Sequence, residues 1–329
     1  MSTQQADVTR PVPALFAAID IGGTKIAGGL VDANGTVLRQ VQRPTPAAEA
    51  GDIVLKAVYE VVEQLAVDPR WGQVRGLGIG SAGPVDIARG MVSPVNIPGW
   101  RDFPLVRSVT AHPAVTGLPT VLGGDGVAMT AAEHWRGAAR GHANALCLVV
   151  STGVGAGLVL NGAVHPGPSG NAGHLGHISV DLDGAPCACG SRGCLEGLAS
   201  GTAITRRALE NGWRPRGTGT STVAVAASAR DGDPIALAAF DRAAQALAAG
   251  IAATAALVEI EVAVVGGGVA KAGDVLFAPL KRHLTAYAVL PLVSGVTVTP
   301  ARLGPDAGLV GAAALALGAA DLTPSPPHR

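Results

Sequence analysis

The chain has 329 residues, 48% hydrophobic and 15% charged, with 24 Lys+Arg against 24 Asp+Glu and a formal net charge of +0. Such a length suits two domains of ordinary size. The charge balance excludes the whole-surface basic footprint of a nucleic-acid or anionic-membrane binder and leaves a small ligand as the expected partner.

The start, "MSTQQADVTRPVPA", has no basic segment followed by an apolar one, so no secretion signal is expected and the reducing cytoplasm is the expected location. From there the pattern alternates β and α. An apolar run "ALFAAIDIGG" leads into a strand-turn-strand "KIAGGLVDANGTVLRQV" tipped by Asn34-Gly35, the strongest short hairpin signal. "DIVLKAVYEVVEQLA" reads as an amphipathic helix, and after "VRGLGIGSAG" the Pro- and Gly-rich "GPVDIARGMVSPVNIPGWRDFP" reads as a working loop. Strand "PTVLG" leads to Asp125 and a helix from about Gly126, and "CLVVSTGVGAGLVLNGAV" is a second strand-turn-strand. Asp233-Pro234 predicts an N-cap and first turn for a long Ala-rich helix. Within it "AAQALAAGIAATAALVEIE" is bounded by Gln245 and Glu259, too short an apolar span for a bilayer. Strand "EVAVVGGG" and helix "DAGLVGAAALALGA" follow, and the tail "DLTPSPPHR" is expected to be disordered.

The chain repeats itself: "AIDIGGTKIAGGLV" and "VVSTGVGAGLVL" share a strand, a small-residue turn containing Thr, and a strand. Glycine-rich turns let successive N–H groups point into one concavity that binds phosphate oxygens. Asp20, Gly22, Gly23, Thr24 and Lys25 supply one such turn, and Ser151, Thr152, Gly153 and Gly155 the other, so two facing hairpins could clasp one polyphosphate. A third cluster, Gly266-Gly267-Gly268, follows a strand and precedes a helix, where a backbone without Cβ atoms admits a base or ribose. This cluster lacks the G-x-G-x-x-G spacing of a dinucleotide fold, and neither hairpin turn is a Walker loop, since no G-x-x-x-x-G-K-[ST] occurs.

Between Gly170 and Gly201 lie two histidines and three of the four cysteines. Cys187, Cys189 and Cys194 are spaced C-x-C-x4-C, with Gly190 and Gly193 letting the chain fold around a point and His177 upstream: a Cys3His set for structural Zn2+. Spacing alone leaves His174 and His177 both within reach of the metal. Cys147, in the strand "ALCLVV", reads as a small core residue.

Together "IDIGGTKIAGGLVDANG", "GGD" before a helix, "STGVGAG", "GHLGHISV…CACGSRGCLEGLASG" and "VVGGGV" closely resemble the ROK family of sugar kinases and related repressors. The resemblance implies an α/β, actin-like (ribonuclease H-like) fold of two domains with ATP and sugar in the cleft between them. The domains would be residues 15–122 with 306–320, and 123–305 carrying the zinc loop 170–196, flanked by disordered ends 1–14 and 321–329. It also implies a homodimer. Asp125 matches the family's catalytic base, taking the proton of the attacking sugar hydroxyl while a nucleotide-bound Mg2+ and the two hairpin turns stabilise the transferring phosphoryl group. Its place at a helix N-terminus favours the ionised carboxylate. Gly83, Asn96, His177 and Glu196 match sugar-contacting positions, His177 giving one ring nitrogen to zinc and the other to a hydroxyl.

Two departures stand out. Gly124 replaces the Asn usual before the catalytic Asp, so one sugar contact is lost or replaced. His174 replaces the Glu usual in A-G-E-x-G-H. The G-H-x-G-H version, with "FPLV", "HLGHISV" and "DAGLVGAAAL", looks like N-acetylmannosamine kinases, which implies ATP-dependent phosphorylation of N-acetylmannosamine at its 6-hydroxyl. Exchanging an anionic acceptor for an imidazole alters space and hydrogen bonding where C2 epimers differ. The alternatives are glucokinase or another hexose kinase of the same fold, and a non-catalytic sugar-sensing regulator. A regulator of this family carries a helix-turn-helix domain, for which the stretch before Leu15 is too short.

Overall fold

The computed structural model describes residues 14–322 apart from 216 and 218. Strand β1 (Leu15–Ile21) is buried on both faces, as a near-continuous apolar run in a central strand should be. It pairs antiparallel with β2 (Lys25–Asp32), which pairs with β3 (Val37–Pro44). At the β2–β3 turn Asp32 Oδ1 accepts from the N–H of Asn34 and of Thr36, and Gly35 takes φ +76°, so the Asn-Gly signal is realised. Helix α1 (Gly51–Ala66) buries Val54, Val58, Val61, Val62 and Leu65, one stripe at helical spacing, each side chain contributing roughly 1.5–3 kcal/mol.

Strand β4 (Val74–Ser81) runs parallel to β1. The Pro- and Gly-rich passage then forms a two-stranded hairpin, β5 (Val85–Asp86) and β6 (Met91–Val92), rather than an unpaired loop. Trp100 anchors it from within: its indole N–H donates to Gly51 O (2.9 Å), and its ring stacks on Phe103. After α2 (Leu105–Thr110), β7 (Thr120–Gly124) pairs parallel with β4 and completes the order β3-β2-β1-β4-β7.

Helix α3 (Asp125–Arg136) leads to a second sheet of the same plan. Here β8 (Ala145–Val150), β9 (Val154–Leu160) and β10 (Ala163–His165) form an antiparallel meander. The segment carrying the cysteines follows, then α4 (Glu196–Ala199), α5 (Gly201–Glu210), α6 (Thr222–Arg230) and α7 (Pro234–Val258). Strand β11 (Val262–Gly266), helix α8 (Asp274–Tyr287) and strand β12 (Thr297–Pro300) finish the order β10-β9-β8-β11-β12, with β11 parallel to both neighbours. The repeat read in the two hairpins is thus a repeat of whole sheets.

Asp233 Oδ1 caps α7 by accepting from Ile235 and Ala236 N–H, both at 2.9 Å, with Pro234 in the first turn. At 25 residues α7 outruns the apolar span expected from its flanking polar residues and is long and apolar enough to cross a membrane, but most of its apolar window is buried in the second core. The closing helix α9 (Ala307–Leu322) packs on β1, β4 and β7, while α3 packs on β8 and β9. The two helices cross where Gly311 faces α3: a Cβ there would lie 1.9 Å from Ala128 O, so only glycine permits the approach. The expected disordered ends lie outside the described residues except at their inner edges. There the Ala- and Leu-rich α9 carries on through Leu322, two residues into the stretch expected to be disordered.

Candidate active site

The β1–β2 and β8–β9 turns are held by backbone and hydroxyl bonds. Gly22 N–H donates to Lys25 O (3.0 Å), and Thr45 Oγ1 donates to Gly22 O (2.7 Å). In the second turn Ser151 N–H donates to Gly153 O (2.8 Å), and Thr202 Oγ1 donates to Thr152 O (2.9 Å). Thr24, Lys25 and Thr152 are left exposed, facing outward as donors. Val154 N–H donates to Glu196 Oε2 (2.8 Å), and a Cβ on Gly153 would lie 2.6 Å from the same oxygen. One oxygen of Glu196 is therefore committed to the second turn.

Asp20, Asp125, Gly266, Gly267, Lys271 and Gly308 border a cavity of about 320 Å3. Gly267 takes φ +88°, and a Cβ on it would lie 2.3 Å from Val150 O, which explains the glycine. On the other side of this cluster, Gly268, Thr152, Thr202, Ser221, Thr222 and Val269 line a cavity of about 620 Å3. The three-glycine cluster thus separates a small acidic chamber from a larger one lined by hydroxyls and apolar groups, both within the size range of ligand sites. Lys271, Thr202 and Thr222 escaped the sequence reading, because nothing local marks a lysine on a 3-10 turn or a threonine at a helix start.

Asp125 opens α3, and its Oδ1 accepts from Gly126 N–H (2.7 Å). The residue is solvent-accessible, yet the protein atoms around its carboxyl desolvate it, and that raises its pKa against the Gly126 bond and the nearby His174. Burial and the neighbouring Asp125 raise Asp20 to about 6, with Lys25 opposing. Gly155 in β9 borders Asp125, since a Cβ there would lie 3.7 Å from its Oδ1.

Asn96 lies against the first turn: its Nδ2 is 2.5 Å from where a Gly23 Cβ would be. The Gly83 and Gly124 backbones both border the segment at Gly170 and Asn171, a Gly124 Cβ position lying 3.6 Å from Gly170 O. His174 is exposed, and its ring stacks on His177 with centroids 5.3 Å apart and planes 19° apart.

The choice of histidine left open by spacing is made by geometry. The ligand atoms of His177, Cys187, Cys189 and Cys194 all lie within 4.8 Å of one another, with His177 Nδ1 3.7 Å from Cys187 Sγ and Cys189 Sγ 3.7 Å from Cys194 Sγ. A tetrahedron with metal–sulfur bonds of about 2.3 Å has sulfur–sulfur edges of about 3.8 Å, so these four fit Zn2+. Cys147 is a buried core residue of β8, its thiol pushed up to about 12 chiefly by burial.

Comparison with known proteins places the chain in a family. Residues 16–319 match the ROK family model. A glucokinase of Thermotoga maritima is 35% identical over 310 residues, covering 90% of this chain and 95% of the relative. An N-acetylmannosamine kinase of Yersinia pseudotuberculosis is 36% identical over 297 residues, covering 90% and 96%. The crystal structure of a ROK family glucokinase from Streptomyces griseus in complex with glucose and AMPPNP superposes with a TM-score of 0.79 at 34% identity, covering 93% of this chain and 100% of that one. The chain belongs to the ROK family and has the two-domain, actin-like fold of its sugar kinases.

Proposed function

We propose that this protein is an ATP-dependent sugar 6-kinase whose substrate is N-acetylmannosamine. The observation that carries the reading is Asp125 at the N-terminus of α3, bordering the acidic chamber and within the field of His174, whose ring stacks on His177 of the Cys3His cluster.

In this reading the larger cavity takes the nucleoside, and the small chamber with the two hairpin turns takes the phosphates. Asp20, Gly22, Gly23, Thr24 and Lys25 face them from one side, and Thr152, Gly153, Gly155 and Gly266 to Gly268 from the other. Gly83, Asn96, Gly124, His174, His177 and the free oxygen of Glu196 surround the sugar. Asp125 accepts the proton of the 6-hydroxyl, the sugar oxygen bonds to the γ-phosphorus, and the bond from that phosphorus to the β,γ-bridging oxygen breaks to release ADP. Asp20 is the carboxylate that would face a nucleotide-bound Mg2+, which would supply positive charge to the transferring group. His177, Cys187, Cys189 and Cys194 would hold a structural Zn2+, which would fix the loop that presents His174. We place the enzyme in the cytoplasm as a homodimer.

Imidazole in place of carboxylate at 174 favours N-acetylmannosamine over glucose, because it alters the hydrogen bonding that discriminates C2 substituents. The Thermotoga maritima relative supports a second reading, glucokinase. Phosphorus NMR of the product after parallel incubations with ATP, Mg2+ and either N-acetylmannosamine or glucose tests the first: N-acetylmannosamine 6-phosphate is expected, and its absence beside a glucose 6-phosphate product selects the second.

A further inference from the structure

We propose that Asn171 is a positioning residue that joins two walls of the sugar pocket. The inference rests on the sugar-kinase reading above. The Asn171 amide is bonded at both ends to one backbone unit: Val85 N–H donates to Oδ1 (3.0 Å), and Nδ2 donates to Val85 O (2.7 Å). A third bond runs from Nδ2 to Ser169 Oγ (3.1 Å), and Ile87 N–H donates to Ser169 O (3.1 Å). Residues 85–87 and 169–171 thus pair like short strands, although Val85 follows β4 of the first sheet and Asn171 lies beyond β10 of the second.

The position of this pairing gives it a consequence for substrate. Gly83 lies two residues before Val85, and Gly173 and His174 follow Asn171 closely. Gly170, at φ +92°, lets the strands approach, since a Cβ there would lie 2.4 Å from Ile87 Cγ2, and its carbonyl borders Gly124. The pocket wall at Gly83, Gly124 and Gly170 is therefore glycine backbone, packed at Gly124 and Gly170 against the Val85 and Ile87 side chains. The Asn171 amide fixes its spacing by tying Val85 to that wall. The pairing requires one donor and one acceptor on the same short side chain: aspartate loses the donor and turns a charge toward Val85 O, and alanine loses both bonds. Neither cavity on the nucleotide side has Asn171 in its described lining.

The test compares wild type with Asn171→Asp and Asn171→Ala by steady-state kinetics, by calorimetric titration with N-acetylmannosamine and with glucose, and by thermal melting. The expected result is a sugar Kd and KM raised about 10-fold in both variants, with KM for ATP within about twofold of wild type. A lowered Tm with unchanged sugar affinity overturns the inference and leaves Asn171 a fold staple, and an equal loss of ATP and sugar affinity overturns it too. A wild type that binds sugar without phosphorylating it removes the kinase reading alone, because the binding titration still decides on Asn171. A wild type that binds no sugar overturns both.

Discussion

The imidazoles of His174 and His177 stack at 5.3 Å, so the histidine on which the substrate proposal turns rests directly on a member of the Cys3His cluster. Its orientation therefore follows that of the Cys3His loop. His174→Glu is expected to lower kcat/KM for N-acetylmannosamine by about 10- to 100-fold and to improve glucose relative to it. Competition kinetics with the two sugars measure the ratio; an unchanged ratio would remove the basis for the substrate assignment.

Asp125→Asn keeps the helix N-terminus and the side-chain volume but removes the proton acceptor. The expected outcome is a kcat lowered by roughly 10^3, with sugar affinity by calorimetry and the circular dichroism spectrum preserved. Wild-type turnover in this variant would mean that another group takes the proton.

Asp20 provides a pH test with a definite sign. Its folded pKa of about 6 exceeds the ordinary 3.8, so the folded state holds this proton more tightly than the unfolded chain does. Its ionisation therefore removes stability as pH rises from about 4 to about 6, and the loss persists above that window. Asp20→Asn should be more stable than wild type by roughly 1–3 kcal/mol at pH 8 and no more stable at pH 4, while losing activity. Denaturant melts at the two pH values decide it; a destabilised variant at pH 8 would show that the carboxylate forms a net favourable contact there.

The Cys3His cluster predicts one zinc per chain by native mass spectrometry. Cys187→Ser should release it, lower the Tm by several degrees, and raise KM for the sugar far more than KM for ATP, because the cluster supports the loop bearing His174 and His177. A variant that loses zinc and keeps its sugar KM would confine the metal to stability.

Much of this was legible in the chain because the signals are local. Asn34-Gly35, the Asp233 cap, the two Thr-containing glycine turns and the C-x-C-x4-C spacing each report contacts between residues close in sequence. The duplicated hairpin even announced the duplicated sheet. What could not be read depends on distant segments meeting. Spacing leaves His174 and His177 equivalent, and only the packed loop turns Nδ1 of His177 toward Cys187. Asn171 and Val85 are 86 positions apart, and no periodicity connects them. The commitment of one Glu196 oxygen to Val154 likewise appears only when α4 packs beside the second turn.

The central claim is tested most directly by ADP release with ATP and Mg2+ over concentration series of N-acetylmannosamine, N-acetylglucosamine, glucose and mannose. The highest kcat/KM is expected for N-acetylmannosamine, with kcat lowered by roughly 10^3 in Asp125→Asn. A preference for glucose would keep the fold and Asp125 but contradict the role given to His174, and no turnover with any sugar would contradict the kinase assignment itself.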